Sequence, residues 1–398
     1  NQWGLFYSGS LGWELTRERF LENVDWLDQF QLRASYGVTG NSEIANFASR
    51  SLFGSSGTYN GVSGLRATQL GNNLLTWEEA STVNLGLNWA LFEGRIYGAV
   101  DVYRTINDRM LLNDFLFSDS GFGSFSNNIG KVRNQGVEIE VGGTLVNWNG
   151  LRWTSDFNIT FQDNEILNLG ADSPEFRIIN GVRYDVGQSI FAERLFRFAG
   201  VNPADGRGMW FDRNGEITYS PTEEDLDFVG EAFPDVIGGW NNTISYGGFT
   251  LDVFFQFNLG QDSFKQQEGF FLDGTIFRGR GLTRRTLDRW QQPGDITDMP
   301  KASARQSEGG SDADFFFTAS TWHLEDVGYI RLKSASLSYQ VPTNIVSQIG
   351  LSNARVFVQG LNLITWTNYR GLDPEILVVA NAPFPQPRIY SAGVSLQF

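Results

Sequence analysis

The sequence predicts an all-β protein, specifically a transmembrane antiparallel β-barrel, on three observations. Segments of about ten residues alternate apolar and polar side chains. The connections between these segments are by turns short and long. The composition favours strands and tight turns, with aromatics at 14% of 398 residues and 45 Gly.

Period-two alternation places eleven strands, near 4–15, 29–39, 81–91, 95–110, 132–146, 151–164, 237–246, 249–260, 328–341, 354–366 and 388–398. In the third, Leu85, Leu87, Trp89 and Leu91 alternate with Asn84, Gly86 and Asn88. In the fifth and sixth, Val137, Ile139 and Val141 alternate with Glu138 and Glu140, and Trp153, Phe157, Ile159 and Phe161 with Asp156, Asn158 and Thr160. The eighth sets Phe249, Leu251, Val253, Phe255 and Phe257 against Thr250, Asp252 and Gln256. The last puts Arg388, Tyr390, Ala392, Val394, Leu396 and Phe398 on one face and Ser391, Gly393, Ser395 and Gln397 on the other. One face suits lipid and the other water. The solvent side of a soluble β-sandwich would also accept these carboxylates, so alternation alone leaves that fold open.

Connection lengths discriminate further. Phe92 to Gly94, Asn147 to Gly150 and Gly247-Gly248 are tight turns, with Thr16 to Asp28 and Pro342 to Asn353 as longer members of the same set. The other set runs near 40–80, 111–131, 165–236, 261–327 and 367–387. Short turns at one rim and long loops at the other is the asymmetry of an outer-membrane barrel, with the long loops extracellular. A terminal aromatic, Phe398, resembles the signal read by the barrel-assembly machinery.

Composition narrows the function classes. No run of eighteen apolar residues occurs, so any spanning is done by strands. The mean hydropathy of −0.24 is compatible with a barrel, because half of each strand faces a polar lumen. A net charge of −15 argues against a nucleic-acid partner. The absence of cysteine removes disulfides and thiol chemistry. The first residues carry no initiator Met and no leader, and eleven is an odd number where single-chain barrels have even ones. The chain is therefore expected to be a piece of a longer protein.

Several segments resemble one family. Leu32 to Asn41 (LRASYGVTGN), Leu75 to Glu78 (LTWE), Asn128 to Val141 (NIGKVRNQGVEIEV) and Phe157 to Phe161 (FNITF) are similar to SusC/RagA-type TonB-dependent outer-membrane transporters of Bacteroidetes. So are Gly328 to Lys333 (GYIRLK), Arg355 to Thr365 (RVFVQGLNLIT), Gly371 to Glu375 (GLDPE) and Phe384 to Arg388 (FPQPR). The resemblance implies a 22-stranded barrel with an N-terminal plug, of which residues 1–398 would be the C-terminal half, strands 12 to 22. The plug, the TonB box and the first barrel half would lie outside this stretch. It also implies coupling to the TonB complex and a SusD-like surface lipoprotein partner.

Catalysis has little support in the residues. His323 is the only histidine, and a triad or histidine metal site needs a partnered imidazole. It is expected to pack a loop. Loop aromatics Trp210, Phe211, Phe315, Phe316, Phe317 and Trp322 are candidates for contact with substrate or lipoprotein lid, against the alternative that they pack loops together. Glu138, Glu140, Asp156, Asn158, Asp252 and Gln256 are candidates to line the lumen. No cofactor is required. Asp212, Asn214 and Glu216 have the alternating oxygen spacing with which a calcium loop begins, although a solvated turn has the same pattern. A basic run, Arg278, Arg280, Arg284, Arg285 and Arg289, suits an acidic ligand or a loop paired to its own acids.

The functional expectation is TonB-dependent import of oligomeric nutrients, glycans or peptides, across the bacterial outer membrane, without enzymatic chemistry. A passive outer-membrane porin and a secreted β-rich carbohydrate-binding protein are the rivals.

Overall fold

The computed structural model describes residues 3–42, 46–116, 118–170, 175–179, 182–265, 283–302, 317, 319–376 and 384–398. The chain divides into two compact units, Asn1–Ile190 and Phe191–Phe398.

In the first unit six long strands follow one another antiparallel in chain order: β1 Ser8–Glu14, β2 Leu27–Asn41, β3 Glu78–Leu91, β4 Ile96–Asp108, β5 Lys131–Trp148 and β6 Leu151–Asn168. The second unit holds five: β7 Val236–Tyr246, β8 Phe249–Leu259, β9 Tyr329–Gln340, β10 Asn353–Thr367 and β11 Ile389–Gln397. All eleven expected strands form, within a few residues of the expected ends.

Register keeps each face uniform. Between β5 and β6, Val141 pairs with Phe157 and Val137 with Phe161, while Glu140 pairs with Asn158 and Glu138 with Thr160. The apolar row stays exposed, Leu85 at 57%, Phe161 at 45% and Val394 at 62%. A row of that extent is stable only against lipid or another apolar surface. Both residues of the Asn149-Gly150 and Gly247-Gly248 hairpin loops have positive φ, the geometry that matches strand twist. Aromatics gather beside the tight turns: Trp26 against Phe92 at 6.3 Å in the first unit, Phe249 against Tyr339 at 4.5 Å in the second. Such rings mark a membrane–water interface.

One irregularity shapes β9. Its register against β8 passes from Leu332 opposite Phe255 to Ser334 opposite Phe254, leaving Lys333 as an extra, bulged residue. On the other side β10 sets two residues, Asn362 and Leu363, against Lys333 between the Leu332–Ile364 and Ser334–Leu361 pairs.

The long connections carry structure that the alternation did not reveal. In the first unit Leu52–Tyr59 pairs with Val62–Gln69, Leu111–Phe115 with Ser124–Asn128, and Phe176–Ile179 with Val182–Asp185. In the second, Ala192–Phe196 pairs with Leu226–Glu231, and Phe198–Val201, Gly208–Phe211 and Ile217–Thr218 form a small sheet. Here lies a true core: Phe196, Trp210, Met299 and Phe317, with Phe198, Leu226 and Trp322 packed around it. Between β9 and β10 a short helix, Thr343–Val346, buries Val346 against Leu351 and Ala354. Among the described residues no helix is long and apolar enough to cross a membrane.

Candidate functional site

The polar face of the first unit carries cross-strand groups of charged and polar side chains. Arg33 on β2 reaches over β3 to Asp101 on β4 at 2.8 Å, and its Nη2 also donates to Asn88 Oδ1 at 3.0 Å. Asn88 in turn donates to Gln31. Tyr97 on β4 donates across β5 to Asp156 on β6. Register places Glu138 opposite Asp101 and Thr160, and Glu140 opposite Ala99 and Asn158, so Glu138, Glu140, Asp156 and Asn158 share this face. The two long-reach contacts need glycine beneath them. A Cβ on Gly142 would stand 2.4 Å from Asp156 Oδ1 and 2.6 Å from the Tyr97 ring.

The second unit has its own polar wall. Asp252 accepts from Thr243 Oγ1 at 2.7 Å, and Gln256 stands opposite Arg331. Arg331 is almost fully buried although it starts from a strand face, because the segment after β10 folds over it. Its Nη2 donates to Asp373 and its Nη1 to Glu375. Lys333 Nζ donates to both oxygens of Glu375, and Gln386 Nε2 to its Oε2 at 2.8 Å. Burial pushes the Asp373 carboxyl up, but the Arg331 guanidinium and the backbone N–H groups of Gln386 and Glu375 outweigh it and hold the group below the usual carboxylate range. The sequence marked the segments that hold these residues, Gly328 to Lys333, Gly371 to Glu375 and Phe384 to Arg388, for their family resemblance but not as a site. The legible signal was two cations on the polar face of a strand and an Asp-Pro-Glu triplet further on; only folding joins them.

The loop aromatics divide. Trp210 and Phe317, expected as contact candidates, are 1% and 5% exposed in the loop core, so they present no ring face to a partner and instead hold the loop sheet together. Trp322 is half-buried against Phe317, with the Arg285 guanidinium 5.0 Å from its ring. Phe211, on the opposite side of its strand from Trp210, lies half-buried with Arg197 at 5.8 Å. Phe315 and Phe316 lie outside the described residues, as do Arg278 and Arg280. Arg285 pairs with Glu325 at 3.7 Å and Arg289 donates to the Thr286 carbonyl, which favours a loop paired to its own groups. His323 is buried in edge contact with Phe317 and Trp322. Burial, then the cations Arg285 and Arg370, push its imidazole down to about 3.

Asp212 sits in the turn joining two strands of the loop sheet. Its Oδ1 accepts the backbone N–H groups of Asn214 and Glu216, both at 2.8 Å. Among the described residues no three His, Asp or Glu side chains cluster in a way that would hold a metal.

Residues 1–363 match the family model described as TonB dependent receptor-like, beta-barrel. The chain belongs to that family. Its strands are those of an outer-membrane β-barrel, and their separate apolar and polar rows are what such a wall requires. Curated relatives of this TonB-dependent receptor include TonB-dependent receptor P39 of Formosa agariphila, 27% identical over 96% of this chain and 41% of the relative. TonB-dependent receptor SusC of Bacteroides thetaiotaomicron is 25% identical over 100% of this chain and 40% of SusC. The solved RagAB peptide transporter superposes with a TM-score of 0.85 at 25% identity, over 99% of this chain and 43% of that one. The chain thus spans about two fifths of the length of the relatives it matches.

Proposed function

We propose that this chain is the C-terminal half of the barrel, strands 12 to 22, of an importer that carries oligomeric nutrients, glycans or peptides, across the bacterial outer membrane. In this reading an N-terminal plug and TonB box couple transport to the TonB complex, and a SusD-like lipoprotein covers the extracellular mouth. The long loops near 40–80, 111–131, 165–236, 261–327 and 367–387 are extracellular. Glu138, Glu140, Asp156, Asn158, Asp252 and Gln256 line the path, and Phe398 serves assembly.

The observation that carries the reading is the two-sided wall: exposed apolar rows on one face, and on the other charges linked strand to strand through Arg33, Asp101, Tyr97 and Asp156. A wall so wired stays rigid while remaining polar, which suits a conduit for large hydrated solutes. Relatives named as receptors and transporters support a role without covalent chemistry.

The test is uptake in cells carrying the complete reading frame. Growth on oligomers and not on monomers should depend on it, should cease when TonB is deleted, and a surface lipoprotein should copurify. Uptake that persists without TonB would favour the passive channel.

A further inference from the structure

Among the described residues the Glu375 carboxylate is held by side chains alone. It receives Arg331 Nη1, Lys333 Nζ and Gln386 Nε2, with the Tyr329 hydroxyl also against it, and no backbone N–H of a described residue. Asp373 beside it differs. Besides Arg331 Nη2 it takes the backbone N–H groups of Glu375 at 3.0 Å and Gln386 at 2.9 Å. Its side chain is 6% exposed against 18% for Glu375. Withdrawing Asp373 would strand backbone donors, whereas withdrawing Glu375 would strand only donors that another carboxylate satisfies equally well. Arg331 is 3% exposed and would keep Asp373, but its Nη1 and the Lys333 ammonium would lose their acceptor, so the place Glu375 vacates favours an anion of the same kind.

We propose that Arg331, Lys333 and Gln386 form a carboxylate-binding site on the lumen wall, occupied at rest by Glu375 and taken over by a carboxylate of the imported substrate, which releases the strap Leu372–Ile376. The ligand's origin rests on the import reading; the affinity of the site for a carboxylate does not. The exchange is balanced: one carboxylate leaves these donors, another takes them, and no proton moves. A tethered competitor acts as a local ligand of about millimolar concentration, so the resting site binds free carboxylates weakly and removal of Glu375 unmasks it.

The experiment uses the full-length receptor in detergent, with Glu375→Ala and the isosteric Glu375→Gln followed by hydrogen exchange at residues 373–376. In Glu375→Ala the strap amides should exchange about tenfold faster or more, and sodium acetate at tens of millimolar should restore protection, while acetamide and sodium chloride do not. Adding Lys333→Gln should raise the acetate midpoint about tenfold. Glucuronate against glucose, and a peptide with a free against an amidated C-terminus, then separate the two sources of the carboxylate. Should the alanine variant not assemble, the glutamine variant carries the same comparison. Absence of an acetate-specific effect in the assembled variants, or equal protection by chloride, overturns the site even if TonB-dependent uptake is intact.

Discussion

Arg33 Nη2 lies 2.8 Å from Asp101 Oδ2 although a whole strand, β3, runs between them. The residue in between is Gly86, and a Cβ there would stand 2.6 Å from Asp101 Oδ1 and 2.7 Å from Arg33 Nη2. The glycine is a gap through which the pair meets. Gly86→Ala is expected to part the two groups. Because Arg33 is 38% exposed, the pair itself contributes about 0–1 kcal/mol; overpacking adds about 1–3 kcal/mol. In an Arg33→Gln background the alanine should cost much less, measured by urea unfolding in a double-mutant cycle. An equal cost in both backgrounds would assign the glycine to the backbone instead.

His323 makes loop order sensitive to acid. Its folded-state value of about 3 lies below the ordinary 6.5, so the folded loop stays neutral where an opened loop takes up a proton. The contribution is complete above about pH 6.5 and is lost as pH falls towards 3, by at most about 1.4 kcal/mol per pH unit. The protection factors of the amides around Phe317 and Trp322, exchange rates divided into the intrinsic rate at each pH, should therefore fall between pH 7 and 5, and His323→Gln should flatten that dependence. An unchanged slope in the variant would assign it to carboxylates.

Neighbours Trp210 and Phe211 should behave unequally. Trp210→Ala empties the loop core, at about 3–5 kcal/mol of local stability. Phe211→Ala removes a half-buried ring and should cost clearly less. Limited proteolysis of the loop in the detergent-solubilised receptor is the measurement; equal cleavage rates would contradict the packing role of Trp210.

Calcium at Asp212, Asn214 and Glu216 is a proposal open to titration. One Asp212 oxygen already serves two backbone donors, so an ion would use the remaining lone pairs of the turn. A site of the weak extracellular kind would protect the hairpin by up to about 2.7 kcal/mol at a hundredfold excess over Kd. Asp212→Asn should abolish that protection in exchange or proteolysis, and protection that survives the substitution removes the proposal.

The long strands were legible because a two-sided wall imposes period two over ten or more residues, as in β5, where Val137, Ile139 and Val141 alternate with Glu138 and Glu140. The loop strands were not. Segments such as Gly208–Phe211 are too short for a period to declare itself, even though their strand partners Phe198–Val201 and Ile217–Thr218 are close in the chain. Trp210 illustrates the same limit: an aromatic in a polar loop reads as a contact surface until Phe317, over a hundred residues later, covers it. The polar wall was partly visible, since the alternation identified Asp252 and Gln256. It did not show Phe254, which also turns to that side, opposite Ser334. Arg331 was invisible as a site because its carboxylate partner Asp373 lies 42 residues on, beyond β10.

The extra residue at Lys333 has a consequence for parity. Side chains alternate strictly along a strand, so a wall that must keep one side oily and the other wet tolerates insertions only as bulges that absorb a whole step. Were Lys333 instead drawn into the ladder opposite Phe254 as a regular strand residue, every residue from Ser334 to Gln340 would change sides. Leu337 and Tyr339 would turn into the lumen and Ser336 and Ser338 out to the acyl chains. A single lysine therefore acts as the hyphen between two correctly phased half-strands, and its own ammonium is delivered beside Arg331 as a by-product of keeping that phase.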